Sequence, residues 1–253
     1  MSDVMDRIRE ATAKAVAGPL SSDRERPRFE RVAAQSPFPP GASLEDYVAR
    51  FRAELETLSS YVYGPLDAEG VAAQVIDLIH RHASPVGLPS GRSTPHPPSP
   101  IPQPPTPVLA WDEPQIGCPP LRDRLEEAAV ELVPGNVPNN EDHQAMLERL
   151  AEIEVGLTGA TAGLADTGSI VVASGPGRAR IASLLPPVHI AILPLSRIYP
   201  TMQEWLAAGG AELAKETANL VVITGSSRTS DIELQLTLGM HGPRELHVVL
   251  FRD

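Results

Sequence analysis

The stretch Thr224-Gly225-Ser226-Ser227-Arg228-Thr229-Ser230-Asp231-Ile232-Glu233 concentrates the residue types that hold an anion and work on it. Gly225 permits a tight turn, and the small residues around it leave backbone amides exposed. Ser226, Ser227 and Thr229 add hydroxyls, and Arg228 adds a planar cation. Leading from a strand into a helix, such a loop would form a phosphate or carboxylate site. The same residues also make an ordinary helix-capping turn. The spacing is not that of a Walker A loop, because the second glycine and its lysine are missing. Asp231 and Glu233 lie two residues apart, which on a helix points them to different faces. Glu233 is a candidate acid or base. A carboxylate in a first helical turn also simply suits the helix dipole.

Three further loops carry chemistry-bearing residues. Asp166-Thr167-Gly168 sets a carboxylate and a hydroxyl just before an apolar run, as a β-turn or as one edge of a site. Ser174-Gly175-Pro176-Gly177-Arg178 closes that run with small residues and a guanidinium, again suited to an anion, but without the GxGxxG dinucleotide fingerprint. His241, in the turn Gly239-Met240-His241-Gly242-Pro243, is placed to face a cleft and shuttle protons, or to bond backbone. His189 and His247 fall inside apolar runs and read as satisfied sheet residues. No histidine pair has HxxxH spacing, so a metal site would need residues scattered along the chain, and none is expected. There is no GxSxG elbow. Cys118 precedes two prolines and reads as a structural thiol. No cofactor is expected.

The elements that must position these residues follow from apolar spacing. Residues 3–17 repeat Val4, Ile8, Ala11 and Ala15 at helical spacing. A second helix starts at an N-cap, Ser43, and a third spans 68–82. Short strands are expected at 61–63, 108–111 and 130–133, a helix at 121–129, and another from Asn139 or Asn140 to Glu154. Near-continuous aliphatic runs at 169–173, 188–193, 219–224 and 246–251 predict strands covered on both faces. Helices at 201–208 and 211–217 alternate with them. This order predicts an α/β fold with a mostly parallel sheet flanked by helices. Ligands then sit beyond the carboxyl ends of the strands.

Composition narrows the function classes. A net charge of −11 argues against nucleic acid, which needs a basic footprint. One cysteine excludes a disulfide framework and a cysteine-ligated iron–sulfur cluster. No apolar run is long enough to cross a bilayer, so no membrane insertion is expected. Residues 1–7 carry no basic-then-apolar leader, so a cytoplasmic location is expected. Ten of the 27 prolines lie between Pro85 and Pro107, where missing amide donors forbid helix or sheet interior. The chain therefore reads as an N-terminal helix and arm over 1–42 and one α/β domain over 43–253, interrupted by a proline-rich loop at 85–107.

Motifs of the second half resemble one family. They are Gly156-Leu157-Thr158-Gly159-Ala160, Leu164 through Val171, Ser183 through Ile190, Ile198-Tyr199-Pro200-Thr201, the 224–233 loop, and Gly239 through Val248, in that order. Together they resemble the LUD-domain family, in its lactate utilization protein C (LutC/YkgG) type. The chain departs from that pattern at Ser226, usually proline, and Ser230, usually alanine; both keep the loop small. The resemblance implies a NagB/RpiA/CoA-transferase-like α/β fold with an N-terminal helical extension. It also implies a role with two partner proteins in bacterial oxidation of L-lactate to pyruvate. The iron–sulfur clusters would reside in those partners, leaving this chain a non-redox accessory or substrate-handling subunit. The alternative is a stand-alone enzyme acting on a small carboxylate or phosphorylated metabolite held at Gly225–Thr229. Glu233, Asp166 or His241 would then be its acid–base groups.

Overall fold

Ser43 caps the first described helix, α1 (Leu44–Thr57), through a capping box. The Asp46 amide donates to Ser43 Oγ at 3.3 Å, and the Ser43 amide donates to Asp46 Oδ2 at 2.7 Å. This satisfies two donors that a helix start leaves orphaned. The computed structural model describes residues 36–83, 104–118, 121–136, 143–230, 236–238 and 242–253. The helix expected at 3–17 and nearly all of the proline tract lie outside these residues.

Six strands form one wholly parallel sheet: β1 (Tyr61–Leu66), β2 (Thr106–Ala110), β3 (Val130–Pro134), β4 (Val155–Gly159), β7 (Val188–Pro194) and β12 (Glu245–Phe251). Their spatial order is β1-β12-β7-β4-β2-β3. All residues of β4 and β7 are buried, as a sheet covered on both faces requires. Each buried Val, Leu or Ile here contributes about 1.5–3 kcal/mol of transfer free energy. Helix α2 (Ala68–His82), capped by Asp67, lays Val71, Val75, Leu78 and Ile79 on this sheet. The chain thus has the α/β fold with a mostly parallel sheet that its apolar runs predict.

Two of those runs go elsewhere. The sequence reading places 169–173 and 219–224 in a mostly parallel sheet. In the structure, β6 (Ser169–Ser174) and β9 (Asn219–Ile223) pair antiparallel in a second sheet. Its order is β8-β5-β6-β9, with β5 (Ala162–Leu164) and β8 (Ile198–Tyr199). An aliphatic run encodes burial, not direction. The short turn at residues 165–168 forces β5 and β6 antiparallel. β9 is also only partly covered, with Val222 39% exposed.

A second correction concerns the 224–233 loop. It does not lead into a helix. Residues Arg228–Ser230 (β10) pair antiparallel with Leu236–Leu238 (β11). The expected helix at 201–208 is regular only over Met202–Trp205 and kinks at Gly209, whose φ is +119°. The helix expected from Asn139 or Asn140 is described over His143–Ala151.

Candidate functional site

The β6–β9 pairing brings two of the predicted loops together. Ile170 faces Ile223, so the 166–168 turn meets Thr224-Gly225. Hydroxyls join them: Thr167 Oγ1 lies 2.8 Å from Ser169 Oγ, which lies 2.8 Å from Thr224 Oγ1. Both glycines are there for close packing. Gly168 has φ +63°, and a Cβ on it would lie 2.5 Å from the Leu55 amide nitrogen. Gly225 has φ +85°, and its Cβ would lie 2.8 Å from Leu58 Cβ. The end of α1 backs both turns.

At the Gly225–Thr229 loop part of the expected donor set is already engaged within the fold. The Ser227 amide donates to Pro243 O at 2.9 Å, so it is not free for a ligand. Arg228 and Thr229 enter a strand, so no helix dipole draws charge to Gly225 and Ser226. Asp166 has a buried Oδ1 without a hydrogen-bond partner, and burial raises its carboxyl above the ordinary range. Asp231, Glu233 and His241 lie outside the described residues.

Ser174 and Gly175 lie at the opposite end of β6, about 17 Å from Ser169 at 3.3 Å per residue. There the turn Gly175–Arg178 closes on itself: the Gly175 amide donates to Arg178 O at 3.2 Å, and the Arg178 amide to Gly175 O at 2.9 Å. It is tied to the end of β2. The Asp112 amide donates to Gly177 O at 2.8 Å, and Trp111 Nε1 to Ala179 O at 3.2 Å. Ser174 Oγ, Arg178 Nε and Asn219 Oδ1 are buried without partners. Buried polar atoms are rarely left so, and they mark a place where a bound group would complete the bonding.

This turn borders a cavity of about 420 Å³. The cavity sits where the sheet order reverses. From β2 the chain moves outward to β3, whereas β4, on the other side of β2, leads back toward β7. That switch point, at the carboxyl ends of the strands, is where open α/β sheets bind ligands. Trp111 follows β2 and Thr161 follows β4; Arg178, Arg197, Tyr199 and Trp205 complete the wall. Arg197 Nη1 donates to Ala160 O at 3.2 Å, which anchors its guanidinium to the end of β4. Gly210 allows the close wall at Trp205, since a Cβ there would lie 2.5 Å from the indole. Among the described lining residues there are two guanidiniums and no carboxylate. The arrangement suits a small anion with an apolar body. A second cavity of about 370 Å³ lies at the amino ends of β2 and β3, where Arg122 and Glu126 offset each other.

Sequence reasoning reached Ser174, Gly175 and Arg178 but missed Arg197, Trp205 and the role of Trp111. These come from separate elements, and only the sheet order brings them together. The buried histidines differ from one another. His189 Nε2 lies 2.9 Å from Thr158 Oγ1 while its Nδ1 has no partner, and burial pushes its pKa down to about 3. His247 has both ring nitrogens engaged, with Tyr63 Oη and Glu245 Oε2. Cys118 is buried, and desolvation pushes its thiol up to about 11.

The family model described as the LUD domain matches residues 48–251. Lactate utilization protein C of Halalkalibacterium halodurans is 32% identical over 151 residues, covering 58% of this chain and 63% of that protein. The protein of the same name from Geobacillus sp. is 31% identical over 153 residues, with the same coverages. The matches thus span less than two thirds of these relatives. Among solved structures, a DUF162 family protein from Deinococcus radiodurans superposes over 83% of this chain and 99% of its own, with a TM-score of 0.48 and 17% identity.

Proposed function

The chain belongs to the LUD-domain family, and from that premise we propose that it is a lactate utilization protein C-like component that holds a small carboxylate in the switch-point cleft. The observation that carries this reading is the pair Arg178 and Arg197 on the wall of one cavity at the carboxyl ends of β2 and β4. A guanidinium pairs with a carboxylate through two parallel N–H donors, which fixes orientation as well as charge. Trp111 and Trp205 offer apolar faces for the carbon skeleton. The geometry favours this cleft over the Gly225–Thr229 loop, where the Ser227 amide is spent on Pro243.

The role in the larger system is that of a substrate-handling subunit for L-lactate oxidation to pyruvate, working with iron–sulfur partner proteins. In support, the single cysteine of the sequence is buried and held as a thiol, unsuited to ligating a cluster. The names of the relatives point the same way. Calorimetry of the full chain with L-lactate, pyruvate and inorganic phosphate tests the carboxylate reading. Millimolar or tighter binding of a carboxylate, weakened at least tenfold by Arg178→Ala and by Arg197→Ala, is expected. Absence of binding at millimolar ligand, or binding that both variants keep, overturns it.

A further inference from the structure

At the other end of the parallel sheet, two elements bring two imidazoles and a carboxylate together. His82 comes from the last turn of α2, and Glu245 and His247 from the first half of β12. One donor atom from each lies within 4.8 Å of the others. Glu245 Oε2 is the hub, 3.2 Å from His247 Nε2 and 3.9 Å from His82 Nε2. The geometry points to a binding site for a divalent transition metal of the zinc class, with His82 Nε2, His247 Nε2 and Glu245 Oε2 as its protein ligands.

Zinc held tetrahedrally at 2.0–2.1 Å sets its ligand atoms roughly 3.3 Å apart. The Glu245–His247 pair already has that separation. His82 must close by about half an ångström on Glu245 and by up to about 1.5 Å on His247, a movement open to a side chain in the last turn of a helix.

Three further features fit. Tyr63 Oη lies 3.0 Å from His247 Nδ1. In the tautomer whose Nδ1–H donates to this oxygen, the Nε2 lone pair is left for a metal, as with the outer partner of a metal-bound imidazole. The Tyr61 ring stacks on the His247 ring at 4.7 Å and 13°, which fixes the plane of the imidazole. Arg81, the nearby cation that would oppose a metal, is paired with Asp77 on its own helix. Three ligands with Glu245 41% exposed leave an open side for water, the pattern of a reactive rather than a closed zinc site. Two nitrogens and one oxygen select zinc, cobalt or nickel over calcium and magnesium, which prefer all-oxygen cages.

The test uses the full chain, stripped with chelator and titrated at pH 7.5 with ZnCl2 by calorimetry and with CoCl2 by visible absorption. One equivalent of zinc at micromolar or tighter affinity is expected, with a four-coordinate or five-coordinate cobalt spectrum and no response to MgCl2. His82→Ala sits at a helix end and keeps the fold. It should weaken zinc at least tenfold and change the cobalt spectrum. Tyr63→Phe should weaken it severalfold with all three ligands retained. Zinc binding weaker than about 100 µM, or tight binding that His82→Ala and Glu245→Gln both leave unchanged, overturns the site.

Discussion

The guanidinium of Arg178 folds back over Gly175, so that a Cβ on Gly175 would lie 3.0 Å from Arg178 Nη2. The glycine gives the arginine its place on the cleft wall. Gly175→Ala should therefore displace the guanidinium while leaving the hairpin formed. A severalfold loss of carboxylate affinity by calorimetry is expected, with the melting temperature within a few degrees of wild type. Unchanged affinity would separate Arg178 from the ligand.

Gly168 carries a structural demand of another kind. Its φ of +63° and the Leu55 amide 2.5 Å from a would-be Cβ leave no room for a side chain. Gly168→Ala should cost about 2 kcal/mol or more in urea unfolding, since left-handed strain and a backbone clash add. A loss below about 0.5 kcal/mol would contradict this packing.

His189 makes stability depend on acid. Its ordinary pKa of 6.5 drops to about 3 in the fold, mainly through burial. Between these values the unfolded chain binds a proton that the folded chain does not. Stability therefore falls as pH drops from about 6.5 toward 3, by roughly 1.4 kcal/mol per unit at most from this group. Above pH 6.5 its contribution is complete and flat. Urea midpoints at pH 4, 5, 6 and 7 should show this slope, and His189→Asn should reduce it.

Cys118 should be inert in the folded chain. It is buried and its thiol is pushed up to about 11, so almost no thiolate exists at pH 8. A thiol-disulfide reagent should label it only after denaturation. Rapid labelling of the native chain would refute its burial.

Much of the scaffold was legible because local chemistry repeats along it. Ser43 with Asp46 marks the start of α1, and the apolar positions 71, 75, 78 and 79 mark α2. Strand partners were not legible. Val171 and Ile190 sit in equally aliphatic runs, yet one lies in an antiparallel pair and the other between parallel neighbours. The cleft was half legible: Ser174 and Gly175 stand next to Arg178 in sequence, whereas Arg197 and Trp205 meet them only through the sheet order. The His82, Glu245 and His247 cluster is not written in any one stretch of the sequence. Glu245 and His247 share a strand face at spacing two, but His82 is more than 160 residues away.

The place of β12 between β1 and β7 bears on how the molecule is made. Among the strands of this sheet it is the last in chain order and the second across it. Until it emerges from the ribosome, β1 has no partner and β7 keeps an open edge. Closure joins Tyr61 to His247, a loop of nearly the whole domain, so its entropy must be met in one late step. A nascent chain stalled before residue 245 presents two bare parallel edges, the kind of surface that chaperones guard and that aggregation exploits.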